Sequence, residues 1–197
     1  MLGRLYAIGA ALLVWSLATP ARADPAAAPG GGADAGAVDG ALPAGVTWRW
    51  NSALEDRPRF QVAGPERSRF VFSARPRPSQ IRRLDARGGV VWRYAIPGLR
   101  PLDAVLLLEG DVLYAALYRG MTSGCRAIAL DARTGTLLWD EPLRGLGPIA
   151  HSAYENRVQI DLQPAGLVIY GNEWRGRYIE VLRPADGRRI GHRLLGR

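Results

Sequence analysis

The chain has 197 residues, of which 48% are hydrophobic and 22% charged, and its formal charge is +8. This composition is that of a globular protein and excludes wholesale disorder and collagen. A single cysteine, Cys125, excludes an internal disulfide framework, and the two histidines, His151 and His192, cannot complete a four-ligand zinc site without carboxylates. All 26 cations are arginine. In a chain this rich in Ala and Gly that pattern reflects genome base composition, so the positive charge does not point to nucleic acid.

The first predicted element is an address. Arg4 supplies a positive n-region, Leu5 to Ala18 form an apolar run, and Ala21-Arg22-Ala23 places small residues where a signal peptidase reads. Cleavage is expected between Ala23 and Asp24, making residues 1–23 a signal peptide and the product periplasmic or secreted. The apolar run falls short of the roughly 20 residues that a membrane span needs, so no stable span is expected after cleavage. Residues 24–44, DPAAAPGGGADAGAVDGALPA, offer almost nothing large to bury and are expected to form a disordered tether. Residues 45–197 then hold the folded domain.

One phrase organises that domain. It reads LDARGGVVWRY from Leu84 and LDARTGTLLWDE from Leu130, which places Trp92 and Trp139 47 residues apart. Upstream, AGVTWRW repeats the strand half of the phrase at Trp48, and downstream, LRPADGRRIGH from Leu182 keeps leucine and glycine but has Gly191 where tryptophan would fall. Between copies, short β-type runs alternate with turn signals, about four strands in each period of roughly 45 residues, the spacing of a propeller blade. The first period predicts strands at Arg59–Val62, Arg69–Ala74, Gln80–Leu84 and Val90–Ala95. The middle one predicts Val105–Leu108, Val112–Tyr118, Arg126–Leu130 and Thr136–Asp140. The last predicts Arg157–Leu162, Leu167–Asn172, Arg177–Leu182 and Arg188–Leu194. The expected fold is all-β, a partial β-propeller of about three four-stranded antiparallel blades.

The chemistry of the phrase is structural. Asp85 and Asp131 can accept hydrogen bonds from backbone N–H groups of the turn, and Gly88 and Gly135 can take the positive φ it needs. Trp92 and Trp139 then fall on the outer strand, where a flat ring can cover the gap to the next blade and its N–H can reach a backbone acceptor. The alternative role for the ring is a platform for stacking a sugar or a quinone.

Tyr114, Ala129, Leu130, Asp131, Ala132, Thr134, Gly135 and Trp139 resemble the repeat of the pyrroloquinoline-quinone-like (PQQ-like) β-propeller family, a Val/Leu-Tyr strand followed by Ala-Leu-Asp-Ala-x-Thr-Gly, three residues and Trp. The first copy lacks the threonine, and the last has Arg183-Pro184 in place of Asp-Ala. The resemblance implies a blade architecture from Val46 to Arg197. Family dehydrogenases that hold the quinone are closed propellers of about eight blades with a vicinal cysteine pair and a bound calcium or lanthanide. This chain has no Cys-Cys, and the expectation is no cofactor, no metal and no catalytic residue.

Three blades and one extra strand do not close a propeller, so the domain is expected to be an open arc or to be closed by a second copy through open sheet edges. Arg188, Arg189 and Arg193 on the last strand, with Pro76 and Pro78 in the first blade, read as devices that blunt such edges. His151 and Ser152 lack a nucleophile elbow. Asp103, Glu109 and Asp111 read as turn caps rather than calcium ligands, and Arg75, Arg77, Arg82, Arg83 and Arg87 with Phe70 and Phe72 as a charged face. Arg175 and Arg177 beside Trp174 repeat that pattern on a smaller scale. Cys125 reads as an inert thiol. The function expected is a non-enzymatic exported scaffold that binds another envelope protein. The alternative is a ligand-binding or degenerate quinone-dependent oxidoreductase module.

Overall fold

The computed structural model describes residues 41–47, 60–75, 77–98, 103–118, 125–144, 158–173 and 176–195, all within one compact unit, Ala37–Arg197. The expected signal peptide, the Trp48 copy, Pro76, His151, Ser152 and the side chains of Trp174, Arg175 and Arg177 lie outside the described residues.

Twelve strands form three four-stranded antiparallel sheets. The first blade is β1 (Gln61–Ala63), β2 (Arg69–Ser73), β3 (Gln80–Leu84) and β4 (Val90–Ala95). The second is β5 (Asp103–Glu109), β6 (Val112–Tyr118), β7 (Arg126–Asp131) and β8 (Leu137–Pro142). The third is β9 (Val158–Gln163), β10 (Gly166–Glu173), β11 (Gly176–Leu182) and β12 (Arg189–Leu195). Each sheet runs in chain order, and β5 touches both β1 and β9. First strands meeting in this way line the inner side of a partial β-propeller. The only described helix is a 3₁₀ turn at Pro65–Arg67, and no described helix is long and apolar enough to cross a membrane.

Burial explains why the central blade reads differently from its neighbours. A strand covered on both faces needs apolar side chains at every position, whereas one covered on a single face alternates. In β6 every residue from Leu113 to Leu117 is buried. One face of the blade, with Leu106, Leu113, Ala115, Leu117, Ile128 and Leu130, packs on Phe70, Phe72, Ile81 and Trp92 of the first blade. The other, with Tyr114, Ala116, Ala127, Ala129 and Trp139, packs on Val158, Ile160, Leu167, Ile169, Tyr178 and Leu182 of the third. In β2, by contrast, Phe70 and Phe72 are buried while Arg69 is exposed and Val71 and Ser73 are half-buried.

Blades stack face to face, so the first and third blades each turn one sheet face away from the second, while every blade has its own outermost strand as an edge. Arg189, read from sequence as blunting such an edge, turns instead into the joint between the second and third blades.

The far face of the third blade is covered by the chain itself. Residues 41–44 fall in the segment read as a tether, yet they and the next three residues pack here. Leu42 and Val46 cover Val168, Tyr170, Ile179 and Val181. The backbone N–H of Thr47 donates to Gln163 Oε1 at 3.2 Å, and Gln163 Nε2 donates to the Thr47 carbonyl at 3.1 Å, so one side-chain amide pairs the strap as a strand neighbour would. The Tyr170 hydroxyl accepts from the same Nε2 at 2.7 Å and donates to Asp161 Oδ2 at 3.2 Å, which fixes the amide in place.

Gly191, at the degenerate tryptophan position, lies under this strap. A Cβ there would meet Pro43 Cδ at 2.6 Å, with the Ala41 carbonyl oxygen and Leu42 Cα at 3.4 Å. Gly191→Ala is therefore expected to lift the strap at a cost of about 1–2 kcal/mol. Amide exchange would show it as faster exchange at Thr47 with Val168 unchanged; unaltered protection at Thr47 would contradict the packing argument.

Candidate functional site

The repeat turns carry the recurring side chains. In the second blade, Asp131 Oδ1 accepts the N–H groups of Arg133 at 2.9 Å and Thr134 at 2.7 Å, and the Thr134 hydroxyl at 2.9 Å. These donors, the Thr134 N–H foremost, hold the Asp131 carboxyl below the usual carboxylate range. The N–H of Gly135 closes the turn on the Asp131 carbonyl at 2.8 Å. In the first blade, Asp85 Oδ1 accepts from the N–H groups of Arg87 and Gly89, both at 2.8 Å. The third turn has Arg183 where the other two have aspartate; Asp186 takes over the acceptor role, bonding the Arg188 N–H at 3.1 Å and Arg183 Nη1 at 3.0 Å.

Each tryptophan leaves its own blade and docks on the turn of the next. Trp92 Nε1 donates to the Ala132 carbonyl at 3.0 Å, and Trp139 Nε1 donates to the Pro184 carbonyl at 2.8 Å. The rings lie flat against the turn glycines: a Cβ on Gly135 would sit 2.7 Å from Trp92, and one on Gly187 would sit 2.6 Å from Trp139. Both glycines have positive φ, +75° and +73°. Glycine is thus required twice over, for the left-handed backbone and for the ring that rests on it. Phe70 and Tyr114 flank the two rings, with centroids at 5.7 and 6.0 Å. A third element recurs at the strand pairing. The register shifts after Arg83, Ala129 and Val181, which makes Trp92, Trp139 and Gly191 equivalent positions.

Polar contacts complete both joints. Arg126 forms a two-pronged pair with Asp140 and extends Nη1 to the Pro97 carbonyl at the end of the first blade. Arg189 bonds Glu180 Oε1, lies 3.2 Å from Glu141 and reaches the Pro142 carbonyl at 2.6 Å. Glu180 is fully buried and also accepts the N–H of Arg144 at 3.0 Å. Burial holds the Glu141 carboxyl above its ordinary value, with Arg189 opposing. Sequence reasoning missed this cluster, although glutamate inside Tyr-Ile-Glu-Val-Leu, an otherwise apolar buried run, was the available sign.

The other weighed residues separate. Arg82 and Arg83 sit on opposite faces of β3. Arg83 belongs to the first joint, 5.9 Å over the Phe70 ring with Nη1 donating to the Ala132 carbonyl at 3.4 Å, so the arginines near Phe70 are not one patch. Asp103 and Glu109 are the two ends of β5, roughly 20 Å apart at 3.4 Å per residue. Asp111 lies 4.0 Å from Arg133 in an exposed pair. Among the described residues no group of three His, Cys, Asp or Glu is placed to hold a metal ion. Cys125 is buried in the core between the second and third blades.

No family model matches the chain. A search of curated proteins also returns no match. Among solved structures, the chain is similar to a quinohemoprotein alcohol dehydrogenase, ADHIIG from Pseudomonas putida HK5, with 14% sequence identity and a TM-score of 0.47 over 66% of this chain and 25% of that one. The chain therefore spans about a quarter of that enzyme's length. The partial propeller is established by the three sheets and their joints.

Proposed function

We propose that this chain is an exported, non-enzymatic member of the PQQ-like repeat family that serves as an interaction scaffold in the cell envelope. Residues 1–23 direct export and are removed, and the remainder works in the periplasm or outside the cell without a cofactor. The observation that supports a scaffold over a ligand-binding module is the fate of the tryptophans. Trp92 and Trp139 are 9% and 8% exposed, and both indole N–H groups are bonded to backbone carbonyls of the next blade. Rings held in this way join blades and have no face left for stacking a quinone or sugar. What the arc offers to other molecules is its loops and the face of its first blade that no described residue covers, and a second protein is the partner suited to so broad a surface.

Titration with pyrroloquinoline quinone and calcium tests this reading. No change in melting temperature or absorbance is expected, and a saturable shift in either would overturn the scaffold role in favour of a quinone-binding module. The N-terminus of protein recovered from the envelope fraction should be Asp24; an intact Met1 would overturn cleavage.

A further inference from the structure

We propose that the outer face of the first blade binds an acidic β-sheet surface of a partner protein, which inserts a tryptophan over the turn Asp85–Gly89. This rests on the scaffold reading and specifies where the partner sits and what chemistry it brings.

The two filled seats define what such a turn accepts. In each, a tryptophan of the preceding blade lies on a positive-φ glycine and donates its N–H to the carbonyl that follows the first turn residue. The first blade carries the same parts, Ala86 with its carbonyl and Gly88 with φ +86°, on a turn one residue shorter, and no described strand precedes β1. No described residue comes within 4 Å of a Cβ built on Gly88, and residues 85–91 are all exposed, Val90 and Val91 at 46% and 53%. Among the described residues the two ends are thus unequal: the strap covers the far face of the third blade, and no described residue covers this turn of the first.

Charge selects the occupant. The strand register aligns Gln61, Val71, Arg82 and Arg93 across the face turned away from the second blade, with Arg69 beside them. The equivalent row of the second blade is Leu106, Ala115, Ile128 and Asp140, an apolar row that ends in an acid. Among the described residues no carboxylate reaches Arg69, Arg82 or Arg93. Arg82 Nη2 donates to Ser73 Oγ at 2.9 Å, while its Nε is buried with no acceptor. Arg69 and Arg93 are exposed, and a carboxylate is the strongest acceptor that an exposed guanidinium meets. A second copy stacked head to tail does not fit, because its last blade has Gly191 at the tryptophan position and is already covered.

The chain contains a suitable probe, the hairpin of residues 126–143, in which Trp139 is followed by Asp140 and Glu141. Added as a synthetic peptide to the ¹⁵N-labelled full chain, it is expected to shift the amides of Gly88, Gly89 and Arg93 saturably. Replacing the peptide's tryptophan with alanine should weaken binding about tenfold, as for a buried aromatic anchor. Gly88→Asn, which tolerates positive φ but fills the seat, and Arg93→Glu should each do the same while leaving the remaining amide spectrum in place. Absence of shifts at Gly88, or equal binding of the peptide without tryptophan, would overturn the proposal. A photo-crosslinker at Val91, compared in cells with one at Arg133 and one at Ile190, separates this idea from the broader one. A heterotypic crosslink at Arg133 or Ile190 but none at Val91 would overturn the seat and leave the scaffold; none at any position would overturn both. A Val91 crosslink to a second copy of this chain would overturn the heterotypic partner, and a heterotypic one abolished by Gly88→Asn is the expected result.

Discussion

Alanine at Gly187 or Gly135 is expected to cost about 2–5 kcal/mol, whereas alanine at Gly88 should cost only about 1–2 kcal/mol. All three glycines have positive φ, so all three substitutions carry the left-handed backbone penalty of roughly 1–2 kcal/mol. The rest is steric. A new Cβ meets Trp139 at 2.6 Å above Gly187 and Trp92 at 2.7 Å above Gly135, and forcing extra volume into a packed joint costs a further ~1–3 kcal/mol. Gly88 has no described residue within 4 Å. For a chain of this size the difference corresponds to a melting temperature lower by roughly 2–4 °C per kcal/mol. A double-mutant cycle isolates the cause. In a Trp139→Ala background, which by itself costs about 3–5 kcal/mol, Gly187→Ala should retain only its backbone penalty, because the ring that it struck is gone. Equal costs at the three glycines would show that the rings do not rest on the turns.

The same joint shows what was legible in the sequence. Recurrence of Leu-Asp-Ala-Arg, glycine and tryptophan marks the blade period, and alternation within each period marks the strands. β3, β4 and β6 run over the residues that the pattern predicts, β5 starts two residues earlier and ends one later, and β8 starts one residue later and ends two later, where hydrogen bonding continues beyond the apolar run. Which turn each tryptophan would meet was not legible, because Trp139 and Pro184 are 45 positions apart and meet only once two blades have stacked. Nor was the strap. Leu42 and Val46 stand alone in an Ala, Gly and Pro-rich stretch, and no periodicity marks two apolar residues whose partners lie over a hundred positions away. Gly191 appeared as loss of the tryptophan, whereas in the structure it is the space in which the strap lies. Arginine-rich composition hid the distinction between Arg82, which faces outward, and Arg83, which braces a joint, because adjacent residues on a strand point to opposite faces.

Arg189→Leu should be among the most damaging single changes outside the tryptophans, and its effect should depend on pH. The substitution removes the guanidinium bonded to the fully buried Glu180 and the cation beside Glu141. Deleting one partner of a buried pair costs about 3–5 kcal/mol, since the remaining charge keeps its desolvation penalty. Replacing both partners tests that explanation. Ile128 is the second-blade equivalent of Glu180 and is buried without charge, so Glu180→Ile combined with Arg189→Leu should recover most of the loss. For Glu141, burial already raises the folded-state value above 4.5 and Arg189 pulls it back. Without that pull the folded-state value rises further, and a carboxyl raised on folding contributes stability that is present below its unfolded value and lost as pH rises through its folded one. The deficit of Arg189→Leu should accordingly shrink as pH falls from 7 toward 4.5, measured by urea unfolding against the parent protein at each pH. A deficit constant across that range would mean that Arg189 acts through its contact with the Pro142 carbonyl and its packing rather than through charge.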